Sequence, residues 1–359
     1  EAGLIPMFLI IGVWGGPKRV YSAFKFFLFT LLGSVLMLAA IIFIYWLTGT
    51  TDITQIYEIK IPKEYQNILW LAFFSSFAVK MPMWPVHTWL PDAHVEAPTS
   101  GSVILASVLL KVGGYGMIRF LLPITTEAGI YLSDYMIYLS LIAIIYISFV
   151  AFAQEDMKKL IAYSSIAHMG FVTMGIFLVF NLMGNNPTAA TIGLEGAMVQ
   201  MISHGLISAA LFFCIGIMYK HSHSRLIKDN FGVAQFMPIF SFMMVFFLMA
   251  NSGLPGTSGF VGEFLVITSS LGSSFLFGFL AALSLILSAS YSLKLGKNVL
   301  FGDNQKNSQG YLECKSNEKI VLGTLVIFVL YLGISPDLLF NLLDKSVSDI
   351  ISSISLGKA

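Results

Sequence analysis

Long apolar runs separated by short polar segments dominate this sequence. A membrane-spanning helix needs about 20 mostly apolar residues, and ten stretches approach or exceed that length. The predicted spans are a short one ending near Trp14, then residues 24–47, 68–81, 103–122, 135–152, 160–180, 191–219, 236–267 (interrupted), 274–295 and 320–334. The pattern therefore predicts an all-α fold, a polytopic transmembrane helix bundle.

The composition leaves little room for a soluble protein, because 57% of the residues are hydrophobic and only 11% are charged. A formal net charge of +1 gives no basis for nucleic-acid binding. Cys214 and Cys314 are the two cysteines, and a pair so far apart in sequence indicates neither a disulfide framework nor a metal cluster. We therefore expect neither a bound metal nor a nucleic-acid partner.

Proline and glycine interrupt two of the predicted spans. After Lys80, Pro82 and Pro85 each remove a backbone donor and disfavour the α region for the preceding residue, so the helix should stop inside the bilayer. The segment 251–259, NSGLPGTSG, interrupts a later span in the same way. Unwound backbone at this depth must be buried in protein or line a wet cavity. Two such breaks five spans apart are typical of inverted-repeat transporters, and proline kinks without function are the alternative.

Three ionisable side chains lie in or beside these apolar runs: Lys80, Lys111 and Glu263. Lys111 is in the middle of its run, with no acidic residue within ten positions on either side. A charge at the centre of a spanning helix costs about 2.5–3.5 kcal/mol on insertion scales. Residues this costly indicate a functional role, and we infer an ion-conducting protein that moves protons.

Loop charge gives an orientation. The loops that follow odd-numbered spans hold most of the lysine and arginine residues found outside the apolar runs. By the positive-inside rule, these loops face the cytoplasm or its equivalent compartment. The C-terminus then lies on the opposite side.

Four segments resemble a known family. The chain begins EAGLIPMFLIIGVWG; residues 79–120 read VKMPMWPVHTWLPDAHVEAPTSGSVILASVLLKVGGYGMIRF, residues 154–171 read QEDMKKLIAYSSIAHMGF, and residues 252–264 read SGLPGTSGFVGEF. These motifs resemble the antiporter-type membrane subunit of respiratory complex I called chain M or chain 4, over the whole chain. Family members have further N-terminal helices, so the resemblance also implies that this sequence is truncated at its N-terminus.

The resemblance implies a proton relay and assigns residues to it. Glu1 and Lys80 correspond to an ion pair, Lys111 to a central lysine and Glu263 to the terminal acidic residue. His168 and His204 are the candidates between Lys111 and Glu263, because imidazole can give and take a proton near neutral pH. The alternative for each histidine is a hydrogen-bonded core residue. Sister subunits typically have lysine at the position of Glu263, so the glutamate favours chain M.

The implied function is proton translocation by a membrane subunit of NADH:quinone oxidoreductase, in a bacterial or mitochondrial inner membrane. The chain itself is expected to bind no cofactor, with NADH, FMN, iron–sulfur clusters and quinone held by other subunits. Its expected partners are the other membrane subunits, including sister antiporter-like subunits, and the lipid bilayer. The leading alternative is a subunit of a sodium/proton antiporter, and a purely structural membrane scaffold is the third.

Two further segments carry predictions. Residues 1–335 are assigned to the proton-conducting domain and residues 336–359 to an amphipathic tail that lies on the membrane or binds a partner, because apolar residues recur there at helical spacing. The polar residues of segment 87–96 could be mistaken for a metal site. They are expected instead to lie in an interfacial loop, capping helix ends and holding the loop, or assisting proton entry. These four residues are His87, Asp92, His94 and Glu96.

Overall fold

The structure, a computed structural model, describes residues 2–301 and 311–356 and is helical almost throughout. The helices are α1 (Leu4–Trp14), α2 (Arg19–Thr48), α3 (Ile53–Glu58), α4 (Lys63–Lys80), α5 (Trp89–Glu96), α6 (Thr99–Ile124), α7 (Thr126–Phe152), α8 (Met157–Leu182), α9 (Pro187–Ser222), α10 (Pro238–Asn251), α11 (Ser258–Ser273), α12 (Phe275–Leu300), α13 (Ser316–Ile334) and α14 (Asp337–Leu356). All ten predicted spans correspond to helices, and the all-α prediction is confirmed.

Seven of the described helices are long and apolar enough to cross a membrane: α2, α6, α7, α8, α9, α12 and α13. The other predicted spans are α1, α4 and the pair α10 and α11. Among the spans, α8 and α9 are the most completely buried, whereas α2 and α13 are the least buried. Because α8 carries His168 and α9 carries His204, both histidines lie in the centre of the bundle.

Polar contacts join several loops at one end of the bundle. Arg225, which follows α9, pairs with Asp156 at the start of α8 (3.6 Å). The backbone N–H of Lys18 donates to Glu96 Oε2 at the end of α5 (2.9 Å). Lys220 pairs with Glu318 at the start of α13 (2.6 Å). These loops belong to the basic side predicted from loop charge, and we call this end of the bundle the basic face.

The first predicted break is present. Helix α4 ends at Lys80, and eight residues of turn precede α5. Trp89 Nε1 donates to the carbonyl of Val79 (3.0 Å), and Met83 N donates to that of Ala78 (2.9 Å). Carbonyls left open by the end of the helix therefore receive donors from the chain that follows, as buried backbone requires.

The second break separates α10 from α11. Gly253 and Gly256 adopt φ values of +78° and +88°, in the left-handed region that only glycine enters readily. Ser288 on α12 donates to the unwound carbonyl of Ser252 (3.4 Å). The interruption inferred from glycine and proline is therefore confirmed, and a hydroxyl from a neighbouring helix satisfies one of its carbonyls.

Two π-helical turns, which the sequence pattern did not reveal, widen α6. They cover Leu105–Leu109, immediately before Lys111, and Met117–Leu121. A π turn inserts one extra residue and leaves a local carbonyl poorly paired, and such turns are frequent at functional sites. The carbonyl of Ala106 in the first turn accepts a hydrogen bond from Lys111 Nζ (2.5 Å).

The prediction for segment 87–96 was partly wrong. Asp92, His94 and Glu96 lie in helix α5, not in a loop. Asp92 pairs with Lys25 of α2 (2.6 Å), and Glu96 holds the start of the same helix, so both carboxylates do anchor the segment. His94 does not, because its ring is completely buried. A short helix packed against α2 was not visible in a sequence rich in proline and threonine.

Helix α14 forms most of the predicted tail and is amphipathic. Val347, Ile350 and Ile354 are buried against the bundle, while Lys345 and Asp349 are exposed. It packs on α9 and on the end of α6. The domain boundary at residue 335 stays a prediction.

Close packing holds the first break against α6 through Gly113. A Cβ atom at Gly113 would lie 2.8 Å from both Met81 N and Phe77 O, closer than carbon approaches such atoms. We expect Gly113→Ala to destabilise the protein by about 1–3 kcal/mol through overpacking, measured as a lower thermal-inactivation temperature of the assembled protein. Gly323→Ala on α13 is the control, since nothing lies within 4 Å of its Cβ. Equal stability of the two variants would contradict the expectation.

Candidate functional site

Glu263 and His168 form a buried pair. Glu263, one turn inside α11, is 2% exposed, and its Oε1 lies 2.6 Å from His168 Nδ1 on α8. A contact this short between a ring nitrogen and a carboxylate requires one proton between them. The two residues are 95 positions apart in the chain, so the packing of α8 against α11 creates the pair.

Gln200 and the second break complete the surroundings of Glu263. Gln200 Nε2 on α9 donates to Glu263 Oε1 (3.2 Å). The other carboxylate oxygen faces the break, where a Cβ on Gly253 would lie 3.2 Å from Glu263 Oε2. A Cβ at Gly262 would come within 2.7 Å of the Gln200 backbone, so α9 and α11 are in close contact. The break thus leaves one side of the carboxylate next to unwound backbone.

Lys111 and His204 form another polar contact inside the bundle. Lys111 Nζ lies 2.7 Å from His204 Nδ1 on α9. A Cβ on Gly205 would lie 3.1 Å from the carbonyl of Ser107, which allows α9 to approach α6 at this level. The ammonium therefore has two close acceptors, the imidazole and the carbonyl of Ala106.

The histidine rings of the two contacts face each other across a gap. The ring centroids of His168 and His204 are 5.7 Å apart, at an interplanar angle of 48°. His204 Nε2 is buried and has no hydrogen-bond partner among the described residues. The polar series thus runs from Lys111 through His204 and His168 to Glu263, with one gap between the rings. Four of the six predicted relay residues are brought together in this way.

Lys80 lines a cavity of about 150 Å³ at the first break. Gly3 and Leu4 at the beginning of the chain line the same cavity, as do Leu109 and Val112 from the turns that flank Lys111. Glu1 lies outside the described residues, so its predicted pairing with Lys80 stays a prediction. The cavity nevertheless places Lys80 between the beginning of α1 and the Lys111 region of α6.

Sequence reasoning missed two residues that contact the series: Gln200, described above, and Tyr291. Tyr291 on α12 is completely buried, and its hydroxyl lies 3.3 Å from His168 Nε2. Both ring nitrogens of His168 therefore have polar neighbours. A polar residue inside an apolar span was the available signal for Gln200, but serine and tyrosine are common in these spans and gave none for Tyr291.

His94 adds a further buried imidazole. Its ring stacks on Phe212 of α9, with centroids 4.4 Å apart and the planes 8° from parallel. Neither ring nitrogen has a hydrogen-bond partner among the described residues. Across the described ranges, no three histidine, cysteine or carboxylate side chains converge in an arrangement that could hold a metal ion.

Comparison with known proteins places this arrangement in a family. The family model described as NADH:quinone oxidoreductase/Mrp antiporter, TM matches residues 1–288, a range that includes every predicted relay residue. The chain belongs to this family. NADH-quinone oxidoreductase subunit M of Rhodobacter capsulatus is 50% identical, with 98% of this chain and 70% of that protein aligned. NADH-ubiquinone oxidoreductase chain 4 of Marchantia polymorpha is 46% identical, over 98% of this chain and 69% of that protein.

Solved structures agree with the family. The fold matches a chain of respiratory complex I from Thermus thermophilus with a TM-score of 0.90 and 29% identity, covering 99% of this chain and 73% of that one. A chain of the Mrp complex from Dietzia sp. DQ12-45-1b matches with a TM-score of 0.82 at 18% identity and shares the fold. The predicted family and the bundle with two discontinuous helices are confirmed. The chain is an integral, multi-pass protein of an inner membrane.

Proposed function

We infer that the chain is a proton-translocating membrane subunit of NADH:quinone oxidoreductase, and we propose that Lys111, His204, His168 and Glu263 carry the proton. The observation that carries the proposal is the buried series itself, with contacts of 2.7 Å at one end and 2.6 Å at the other. Ionisable groups inside a membrane protein are costly and mark ion pathways. Here four of them share one interior.

The geometry supports proton transfer in steps. An ammonium at Lys111 donates to His204 Nδ1, and transfer along this contact leaves a neutral lysine and an imidazolium. The carbonyl of Ala106 in the first π turn accepts from the ammonium and holds it in place until the imidazole accepts the proton. At the other end, His168 Nδ1 passes a proton to Glu263 through an existing hydrogen bond.

The gap between the histidine rings is where the series can be controlled. Rotation of one ring, or one bridging water molecule, spans a separation of this size. A small change in how α8 packs against α9 would therefore open or close the path. This gives the rest of the enzyme a means of coupling its own chemistry to proton movement.

Lys80 is proposed as the residue that sets the charge near Lys111. The family resemblance pairs it with Glu1, and an opposite charge nearby favours the charged forms of both partners. Separating the pair would leave an unbalanced cation in the cavity that adjoins the Lys111 turn, and a like charge there favours release of the Lys111 proton. The chain itself is proposed to hold no redox group, and its partners are proposed to include sister antiporter-like subunits.

The test is purification of the tagged full-length subunit from host membranes in a mild detergent. We expect it to bring with it NADH:quinone oxidoreductase activity and, after reconstitution into vesicles, NADH-driven proton pumping. The fold match to the Mrp complex favours a sodium/proton antiporter as the second candidate. Sodium-dependent proton flux from a preparation that oxidises no NADH would contradict the proposal and support the antiporter.

A further inference from the structure

A second polar connection leaves His168 and leads toward the basic face. Tyr291, whose hydroxyl contacts His168 Nε2, has the side chains of Ser164 and Asn251 as polar neighbours. Asn251, the last residue of α10 before the break, donates from Nδ2 to Ser292 Oγ (3.2 Å). All of these side chains are buried. Polar groups therefore continue from His168 to Ser292 without passing through Lys111.

Ser292 opens onto a cavity. The cavity has a volume of about 570 Å³ and is lined by α10, by the second half of α12 and by Phe152 at the end of α7. Lys294 and Lys297 are among its lining residues, and Lys294 Nζ donates to the carbonyl of Phe152 (2.6 Å). Phe152 ends α7 next to the loop that contains Asp156, which belongs to the basic face. The cavity is thus on the cytoplasmic side predicted from loop charge.

The connection and the cavity together span about half a membrane. Ser288, which contacts the second break, and Lys297, at the cavity, are separated by nine residues of α12, or roughly 14 Å at the rise of an α-helix. Half of the hydrocarbon core is about 15 Å. The connection and the cavity together therefore cover the distance from the interior break to the cytoplasmic interface.

We propose that Tyr291, Asn251 and Ser292 form a proton entry route from the basic face to His168, separate from the path through Lys111. The inference rests on the proposed function. A hydronium ion in the cavity gives a proton, through water beside Ser292, to the Tyr291 oxygen while the Tyr291 proton moves to His168 Nε2. Apart from exchanges within the water, two O–H bonds break as one O–H and one N–H bond form, and neutral water is left in the cavity. Asn251 and Ser292 are positioning residues that orient the hydroxyl and the water beside it.

A purely structural role is the alternative, in which the same contacts only hold α12 against α10. The two roles differ in what reaches Ser292. An entry route admits water and small cations from the basic face, and blocking it stops proton uptake. If the contacts are only structural, a group attached inside the cavity does not change proton pumping, provided that the protein remains assembled.

The experiment uses Ser292→Cys in the full complex, in vesicles with the basic face outward. A small, cationic, membrane-impermeant thiol reagent added outside should modify the cysteine and lower NADH-driven proton pumping by roughly three- to tenfold. This is less than the roughly 10²-fold contribution of a positioned proton-transfer group, because the path through Lys111 remains. Ser284→Cys is the control. Ser284 is buried on the same helix, two turns further from the cavity, and donates only to the local carbonyl of Ala281. Its pumping should not change with reagent.

A second variant, Tyr291→Phe, keeps the ring and removes the hydroxyl. We expect pumping to become more sensitive to alkaline pH, because proton supply from the basic face then limits turnover. The proposal is overturned if modified Ser292→Cys pumps normally, if the reagent cannot reach it, or if Tyr291→Phe keeps the parent pH profile. Should those results coincide with loss of pumping in Lys111→Ala, the relay stands and the entry route alone fails.

Discussion

Replacing Lys111 by alanine should leave the complex assembled and lower NADH-driven proton pumping by about tenfold or more, since a positioned proton-transfer group contributes roughly 10²-fold or more. The change removes a costly charge from the interior and so does not by itself unfold the bundle. It also removes the donor to His204. Coupled NADH oxidation should also fall, but by less than pumping, so that fewer protons are pumped per electron, and both are measured in the same vesicles.

Lys111→Arg is the matched comparison, because it keeps the positive charge at this position. A guanidinium stays protonated at any physiological pH and cannot release its proton. We therefore expect Lys111→Arg to fail like the alanine variant. Near-normal pumping with arginine would mean that only a fixed charge is needed at this position, and the transfer step at Lys111 would be wrong.

Glu263→Gln should have a similarly large effect. Glutamine fits the space and can still bond with His168 and Gln200, but it cannot accept a proton from His168 Nδ1. We expect pumping to fall by about tenfold or more, as for other proton-transfer groups, with the subunit still present in purified complex. Glu195→Gln is the control, since Glu195 is a partly exposed glutamate on α9 beside Asp344 of α14, outside the relay. Equal effects of the two substitutions would point to a general loss of charge.

Much of the fold was predictable because the membrane limits the possible structures. Backbone polar groups have no water partner in lipid, so long apolar runs must be helices, and every predicted span proved to be one. The two breaks were equally predictable from the sequence. Proline at 82, 85 and 255 removes a backbone donor, and glycine at 253 and 256 permits positive φ values. Local chemistry decided both features.

The π turns and helix α5 were not predictable in this way. The π turn before Lys111 consists of ordinary apolar residues, whose sequence does not distinguish it from an α turn. Helix α5 forms in a proline-containing stretch because it packs against α2 and α8 and is tied by Glu96 to Lys18. Both features depend on tertiary contacts, which the local sequence pattern does not predict.

The candidate site was predictable in its members but not in its contacts. An isolated lysine, glutamate or histidine is conspicuous in an apolar span, so Lys111, His168, His204 and Glu263 could each be selected. Their pairing depends on helix packing between residues more than 90 positions apart. Close approaches at Gly205 and Gly262 permit that packing. Gln200 and Tyr291 became visible only through these contacts.

The central claim is that Lys111 and Glu263 act in series in one proton path, and proton pumping per electron in the double variant tests it most directly. Residues that act as a unit are strongly non-additive, so assembled Lys111→Ala/Glu263→Gln should pump no less per electron than either single variant does. Wild-type, single and double variants are compared in matched vesicles at equal NADH oxidation rates. The account predicts the same low ratio in all three variants, whereas a normal ratio in assembled Lys111→Ala, or a further loss in the double variant, would contradict it.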